Sequence, residues 1–132
     1  MKVLGINGSH RAGKGTAALL QAALDGAAEQ GAAMAAEREM IATAGAPAAT
    51  PVATAAAMSV ACELVELSRL DIGFCIGCNR CLAQTSCTLK DDMNDLYEKL
   101  RDADVILLAS PDYFGTVSAR MKNFMDRTRP FH

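Results

Sequence analysis

The sequence predicts an open, doubly wound α/β fold on a parallel sheet, and three observations carry that expectation. Short apolar runs alternate with segments of helical periodicity along the chain. The first run gives way to a glycine-rich loop that opens a helix. The last run, Asp104 to Ala109 (DVILLA), is almost wholly apolar, as expected of a strand covered on both faces. The length agrees, since 132 residues suffice for one hydrophobic core rather than two.

The elements follow in order. Lys2 to Asn7 (KVLGIN) reads as the first strand and Gly8 to Gly15 as a small-residue loop. A helix begins at Thr16, where Leu19, Leu20, Ala23, Leu24, Ala27 and Ala28 form a core-facing stripe opposite Gln21, Asp25 and Glu29. Gly31 reads as its stop. Ala32 to Ser59 is of low complexity, with a helical continuation through Glu37, Arg38 and Glu39 followed by an Ala/Thr/Pro/Gly tract, and is expected to be a mobile insertion. Ala61 to Leu67 (ACELVEL) has strand composition, and Glu63 and Glu66 suit a sheet edge. After a cysteine-rich loop, Asp91 reads as the cap of a helix carrying Met93, Leu96, Tyr97 and Leu100 and ending near Ala103. The third strand follows. Val117, Met121, Phe124 and Met125 then form a last apolar stripe, capped by Ser118 or Thr116 and terminated at Pro130.

Composition excludes several functions. Hydrophobic residues make up 51% but aromatics only 5%, with no Trp, so alanine carries much of the apolar count and the core is smaller than the percentage suggests. Thirteen Lys and Arg against fifteen Asp and Glu give a net charge of -2, which is no footprint for nucleic acid. The apolar run at the amino terminus is too short for a signal peptide. The uncharged stretch Met40 to Cys62 is too rich in Ala, Thr, Gly and Pro to enter a membrane. A cytoplasmic protein without a membrane partner is expected.

In parallel sheets of this kind, ligands sit at the carboxyl ends of the strands. Three loops meet there: Gly8 to Gly15, Leu70 to Lys90 and Ser110 to Thr116. The middle one carries Cys75, Cys78, Cys81 and Cys87 in the spacing C-x2-C-x2-C-x5-C, which in a reducing compartment points to metal or redox chemistry before disulfides. Zinc sites usually draw two separated C-x2-C knuckles. Three cysteines at successive three-residue intervals, closed by a fourth, favour a 4Fe-4S cluster instead, as in ferredoxin runs. Cys62 stands apart and reads as a buried, inert thiol.

The first loop places backbone donors, the hydroxyls of Ser9 and Thr16 and the cations Arg11 and Lys14 at a helix start, which makes a phosphate cradle. Gly8-x4-Gly13-Lys14-Gly15-Thr16 is also close to a Walker A loop, so a P-loop nucleotide kinase is a rival reading. Against it, the third strand ends in Ala109-Ser110-Pro111 without a magnesium-holding Asp, and the kinase leaves four cysteines unexplained. The third loop offers Tyr113, Phe114 and Gly115, suited to a flat heterocycle.

Taken together, KVLGINGSHRAGKGT, DIGFCIGCNRCLAQTSCTLKDDM and ASPDYFGTVSARMKNFMDRTRP resemble the NADPH-dependent FMN reductase and iron-sulfur flavoprotein family of the flavodoxin-like superfamily. The resemblance implies a flavodoxin-like sheet of order 2-1-3-4-5, with FMN beside strands one and three. The chain supplies 2-1-3 and ends at His132, so a domain over 1–132 is expected, truncated after its third β-α unit and carrying an Ala-rich insertion at about 32–59. By the same resemblance, Ser9, Arg11, Lys14, Gly15 and Thr16 would hold the FMN phosphate. Pro111, Tyr113, Phe114 and Gly115 would line the isoalloxazine, and the four loop cysteines would ligate a 4Fe-4S cluster beside it. His10 stands where the family commonly has proline, and Gly15 where asparagine is frequent.

The implied activity is flavin-dependent electron transfer, with NAD(P)H as a candidate reductant and a redox partner protein or small-molecule acceptor. No side-chain nucleophile or general acid is required, and His10 and His132 are expected to be solvent-exposed. The alternative is a truncated or non-catalytic metal-binding module. An open edge on the third strand, VILLA, is expected to drive homo-oligomer formation.

Overall fold

The computed structural model describes residues 1–43 and 59–131. Strand β1 (Lys2–Asn7) lies at the centre of a parallel sheet of order β2-β1-β3, between β2 (Ala61–Glu66) and β3 (Val105–Ala109). Its register pairs Asn7 with Glu66 on one side and with Ala109 on the other, so all three strands end at the same level. Five of the six β1 residues are buried. The alternation of a strand then divides the core.

Leu4 and Ile6 face Val65 and Leu67, together with Met93, Leu96, Tyr97 and Leu100 of α3 (Met93–Asp102) and Met121 and Phe124 of α4 (Ala119–Arg127). On the opposite face Val3 meets Leu20 and Leu24 of α1 (Gly15–Thr43), with Val60, Leu64, Leu107 and Ala109 packed around them. Helices thus cover both faces, and the fold is the flavodoxin-like doubly wound sheet. Between β2 and α3 lie a 3-10 turn at Leu67–Arg69 and the short α2 (Arg80–Gln84). The hairpin β4 (Asp112–Tyr113) and β5 (Thr116–Val117) separates β3 from α4, and a last 3-10 turn spans Arg129–Phe131.

Several expectations need correction. Gly31 does not stop the first helix: α1 continues through it to Thr43. The missing side chain serves packing instead, because a Cβ there would stand 2.1 Å from Cγ2 of Val60. Alanine, the best helix former, sustains the helix where no core stripe exists. Among the described side chains of this helix only Ala17, Leu20 and Leu24 are buried, and Leu19, expected in the stripe, is exposed. The insertion expected at about 32–59 is therefore helical as far as Thr43, and residues 44–58 lie outside the described residues.

Strand β3 is not covered on both faces. Val105, Ile106 and Leu108 are exposed, because β3 stands at the sheet edge and α1 reaches only Leu107 and Ala109. Cys62, expected to be buried, is exposed, its thiol donating to the Leu24 carbonyl at 3.3 Å. Met125 and Val117 of the last stripe are exposed, while Met121 and Phe124 are buried.

Candidate functional site

The carboxyl ends of β1, β2 and β3 carry the three loops, and the sequence explains how each is fixed. After β1 the chain turns at Asn7, which is fully buried. Its Oδ1 accepts from the Ser9 amide at 3.0 Å, while its Nδ2 donates to Glu66 Oε2 at 2.7 Å, at the end of β2. The other oxygen of Glu66 accepts from the Gly13 amide at 3.0 Å. Glu66 therefore spans the loop from beneath. Reading the sequence missed it, since a glutamate in a strand signals only an edge.

Around this scaffold, Ser9, Arg11, Lys14, Gly15 and Thr16 come together at the start of α1. Ser9 is buried and its hydroxyl accepts from the Arg11 amide at 3.1 Å. Arg11 and Lys14 are exposed, and among the described residues neither joins an ion pair. No acidic side chain lies in the first turn of α1, whose leading amides have no carbonyl partner within the helix. Among the described residues, nothing beyond the local backbone stands within 4 Å of a Cβ built at Gly13 or Gly15, so the mouth of the cradle is open. Two cations and a helix start around such an opening attract a phosphate.

The third loop is fastened to the first. The Gly8 amide donates to the Ala109 carbonyl at 2.8 Å, and Ser118 Oγ, fully buried, donates to the Gly8 carbonyl at 2.5 Å. The same oxygen caps α4 by accepting from the Met121 amide at 3.1 Å, so of the two expected caps Ser118 is the one used. Gly8 is required by this approach, because a Cβ there would lie 2.7 Å from Cβ of Met121.

Pro111, Tyr113, Phe114 and Gly115 form or flank the β4-β5 hairpin, whose two-residue turn has φ of 55° at Phe114 and 75° at Gly115. A bulky aromatic in the left-handed region is strained, and Phe114 is also fully exposed. Tyr113 stacks on His10 with ring centres 6.1 Å apart and planes at 15°. His10, exposed as expected, accepts at Nδ1 from Arg120 Nε at 3.1 Å.

The cysteine loop is closed at its base by an ion pair of Arg127, which the sequence reading did not assign, with Asp91, which it took only for a helix cap. Arg127, almost fully buried, donates to Asp91 at 2.6 and 3.0 Å and to the Gly73 carbonyl at 2.7 Å. Asp91 also accepts from the amides of Gly73 and Met93, but the cap position expected of it falls to Asp92, whose side chain makes no cap hydrogen bond. Burial works against the charge of Asp91, but the Arg127 hydrogen bonds, the Gly73 amide and the guanidinium charge outweigh it and hold the carboxyl below its ordinary value. Asn123 Nδ2 donates to the Ile72 carbonyl at 2.9 Å.

All four loop cysteines are free thiols and line one pocket with Ile76, Asn79, Thr88, Leu89 and Arg129. Cys78 is held below its ordinary value, chiefly by the Arg80 amide and then by the Thr88 hydroxyl. Among the described residues, no group of three or more His, Cys, Asp or Glu side chains is gathered closely enough to hold a single metal ion. Thiols around a common pocket are the right donors for an iron-sulfur group, which takes one thiolate at each of its irons and spaces them more widely than one ion does.

A larger cleft of about 340 Å³ lies away from these loops, lined by Lys2, Cys62, Glu63, Lys99 and Asp102 among others. Its charges are already paired, Lys2 with Asp102 and Lys99 with Glu63. It sits toward the amino ends of the strands, where such sheets do not bind cofactors. No helix of the described residues is long and apolar enough to cross a membrane.

Comparison with known proteins agrees with the three loops. The family described as NADPH-dependent FMN reductase matches residues 1–132. An iron-sulfur flavoprotein of Methanocaldococcus jannaschii is 35% identical over 130 residues, covering 98% of this chain and 53% of that protein. One of Methanosarcina thermophila is 30% identical over 128 residues, covering 97% and 52%. One of Archaeoglobus fulgidus is 42% identical over 69 residues, covering 52% and 31%. The chain thus spans about half the length of the first and second of these, and less of the third. No solved structure matches it.

Proposed function

Since the chain belongs to the NADPH-dependent FMN reductase family, we propose that it is a flavin-dependent electron-transfer oxidoreductase holding FMN at the first and third loops and a 4Fe-4S cluster at Cys75, Cys78, Cys81 and Cys87. The observation that carries the reading is the joining of an open, cationic helix start to an aromatic hairpin through Gly8 and Ser118. A phosphate and a flat ring at the two ends of one ligand need that juxtaposition. The four free thiols around one pocket, and the iron-sulfur flavoprotein names of the relatives, support the cluster.

When bound, FMN exchanges one or two electrons and the cluster one at a time. The chain's own residues do the rest. Arg11, Lys14 and the leading amides of α1 would neutralise the phosphate, with Gly15 leaving room and Ser9 and Thr16 offering hydroxyls. The Glu66 carboxylate keeps the loop in shape by holding Asn7 and Gly13. Pro111, Tyr113, Phe114 and Gly115 would flank the ring system, and Arg127 with Asp91 holds the base of the cysteine loop. NAD(P)H is the reductant to test, since the family's description names NADPH. A redox protein or small molecule would take the electrons, and the cytoplasm is the compartment that suits free thiols.

The test is a visible spectrum with metal and flavin analysis of protein purified and reconstituted without oxygen. The expected result is bound flavin with about four iron atoms per chain. Zinc alone with no flavin uptake would overturn the reading in favour of a non-catalytic metal module.

A further inference from the structure

We propose that His10 is a positioning residue which, locked by Arg120, sets Tyr113 and its hairpin at the flavin pocket. The inference rests on the FMN reading and adds to it a residue whose sequence position alone suggests only solvent exposure.

The contacts run in one chain across the carboxyl ends of all three parallel strands. Arg120 Nη1 donates to the carbonyl of Leu67, the residue after β2, at 3.3 Å. Its Nε donates to Nδ1 of His10, beyond β1, at 3.1 Å. Acceptance at Nδ1 leaves the ring proton on Nε2 and fixes the plane of the imidazole. That plane lies nearly parallel to Tyr113, beyond β3. The hairpin needs such a brace, for it is two residues a side, all its residues from Asp112 to Val117 are exposed, and its tip is strained at Phe114. Its base is secured by the Ser118 amide donating to Ser110 Oγ at 2.8 Å. Above that base, the His10 ring is the one aromatic contact it makes among the described residues.

One stacked ring and one hydrogen bond together bias the hairpin enough to change an affinity roughly fivefold. The experiment compares His10→Ala, His10→Phe, Arg120→Met and the double variant H10A/R120M with the parent chain. Amide hydrogen exchange over residues 111–117 is read in flavin-free protein, and FMN affinity by quenching of flavin fluorescence. His10→Ala and Arg120→Met are each expected to speed exchange in the hairpin and weaken FMN roughly fivefold, with the double variant little worse than either. His10→Phe, which keeps a flat ring without the acceptor, should recover part of the loss. Unchanged exchange and affinity in His10→Ala, or full additivity in the double variant, would overturn the proposal. If the parent chain itself binds no FMN, the functional reading fails, and hydrogen exchange alone still decides whether His10 braces the hairpin.

Discussion

Arg127 and Asp91 face each other through two hydrogen bonds of 2.6 and 3.0 Å, and the guanidinium that makes them also holds the Gly73 carbonyl. The two ends of the cysteine loop are therefore tied to one buried cation. Breaking the pair from the acidic side strands that cation, with its Nε already lacking a partner among the described residues. Asp91→Ala is expected to cost about 3 kcal/mol in urea unfolding. Its carboxyl is held below the ordinary 3.8, so this stabilisation is complete above that value and lost as pH falls through the lower folded-state value. Parent and Asp91→Ala stabilities should converge in acid below about pH 3.8.

Tyr97 governs the alkaline limit. Its hydroxyl donates to the Arg127 carbonyl at 2.6 Å, and burial, with Cys87 adding, pushes its ionisation from 10.0 up to about 12. The folded state holds the phenolic proton more tightly, so stability is full below pH 10 and declines as pH rises toward 12. Tyr97→Phe should lose stability at neutral pH yet show a flatter decline above pH 10, measured by denaturant titration at each pH.

Gly8→Ala would place a methyl group 2.7 Å from Cβ of Met121 and 3.2 Å from Ser118 Oγ. Both belong to the buried start of α4, which cannot yield cheaply. A loss of about 1–3 kcal/mol in thermal unfolding is expected, together with weaker FMN binding as the two loops separate.

The phosphate reading predicts a contrast between two flavins. Arg11→Ala and Lys14→Ala should each weaken FMN roughly tenfold, while riboflavin, which lacks the phosphate, binds as before. Equal losses for both ligands in isothermal titration would place the two cations elsewhere in the function.

Among the described residues no strand pairs with the outer side of β3, and Val105, Ile106 and Leu108 are exposed beside it. The chain is expected to self-associate there, and Ile106→Lys or Leu108→Lys to shift it toward monomer in sedimentation velocity. A parent chain that sediments as a monomer would count against this edge as the contact.

Alternating apolar runs and helical stripes make the order of the three parallel strands and of α1, α3 and α4 readable in the sequence, and the cysteine spacing stands out unaided, whereas the short α2 and the β4-β5 hairpin read only as loops. The extent of α1 did not, because alanine sustains a helix without leaving a stripe, and Gly31 looks like a stop until Val60 is seen against it. The run VILLA reads as an interior strand because periodicity cannot say how far a sheet continues. At the site, loop residues were legible from their types. The residues that brace them were not: Glu66 looked like an edge charge, Arg127 carries no signal of its own in a helix end, and His10 and Arg120 stand 110 positions apart in sequence.

Helix α4 reaches all these places from its own start and length. Ser118 grips the glycine loop, Arg120 meets His10 and Leu67, Asn123 holds Ile72, and Arg127 holds Gly73 and Asp91. A helix of nine residues is about 13 Å long and moves as a rod. It is thus the keel to which three rims are pinned, so that a tilt of this one helix would shift all three together.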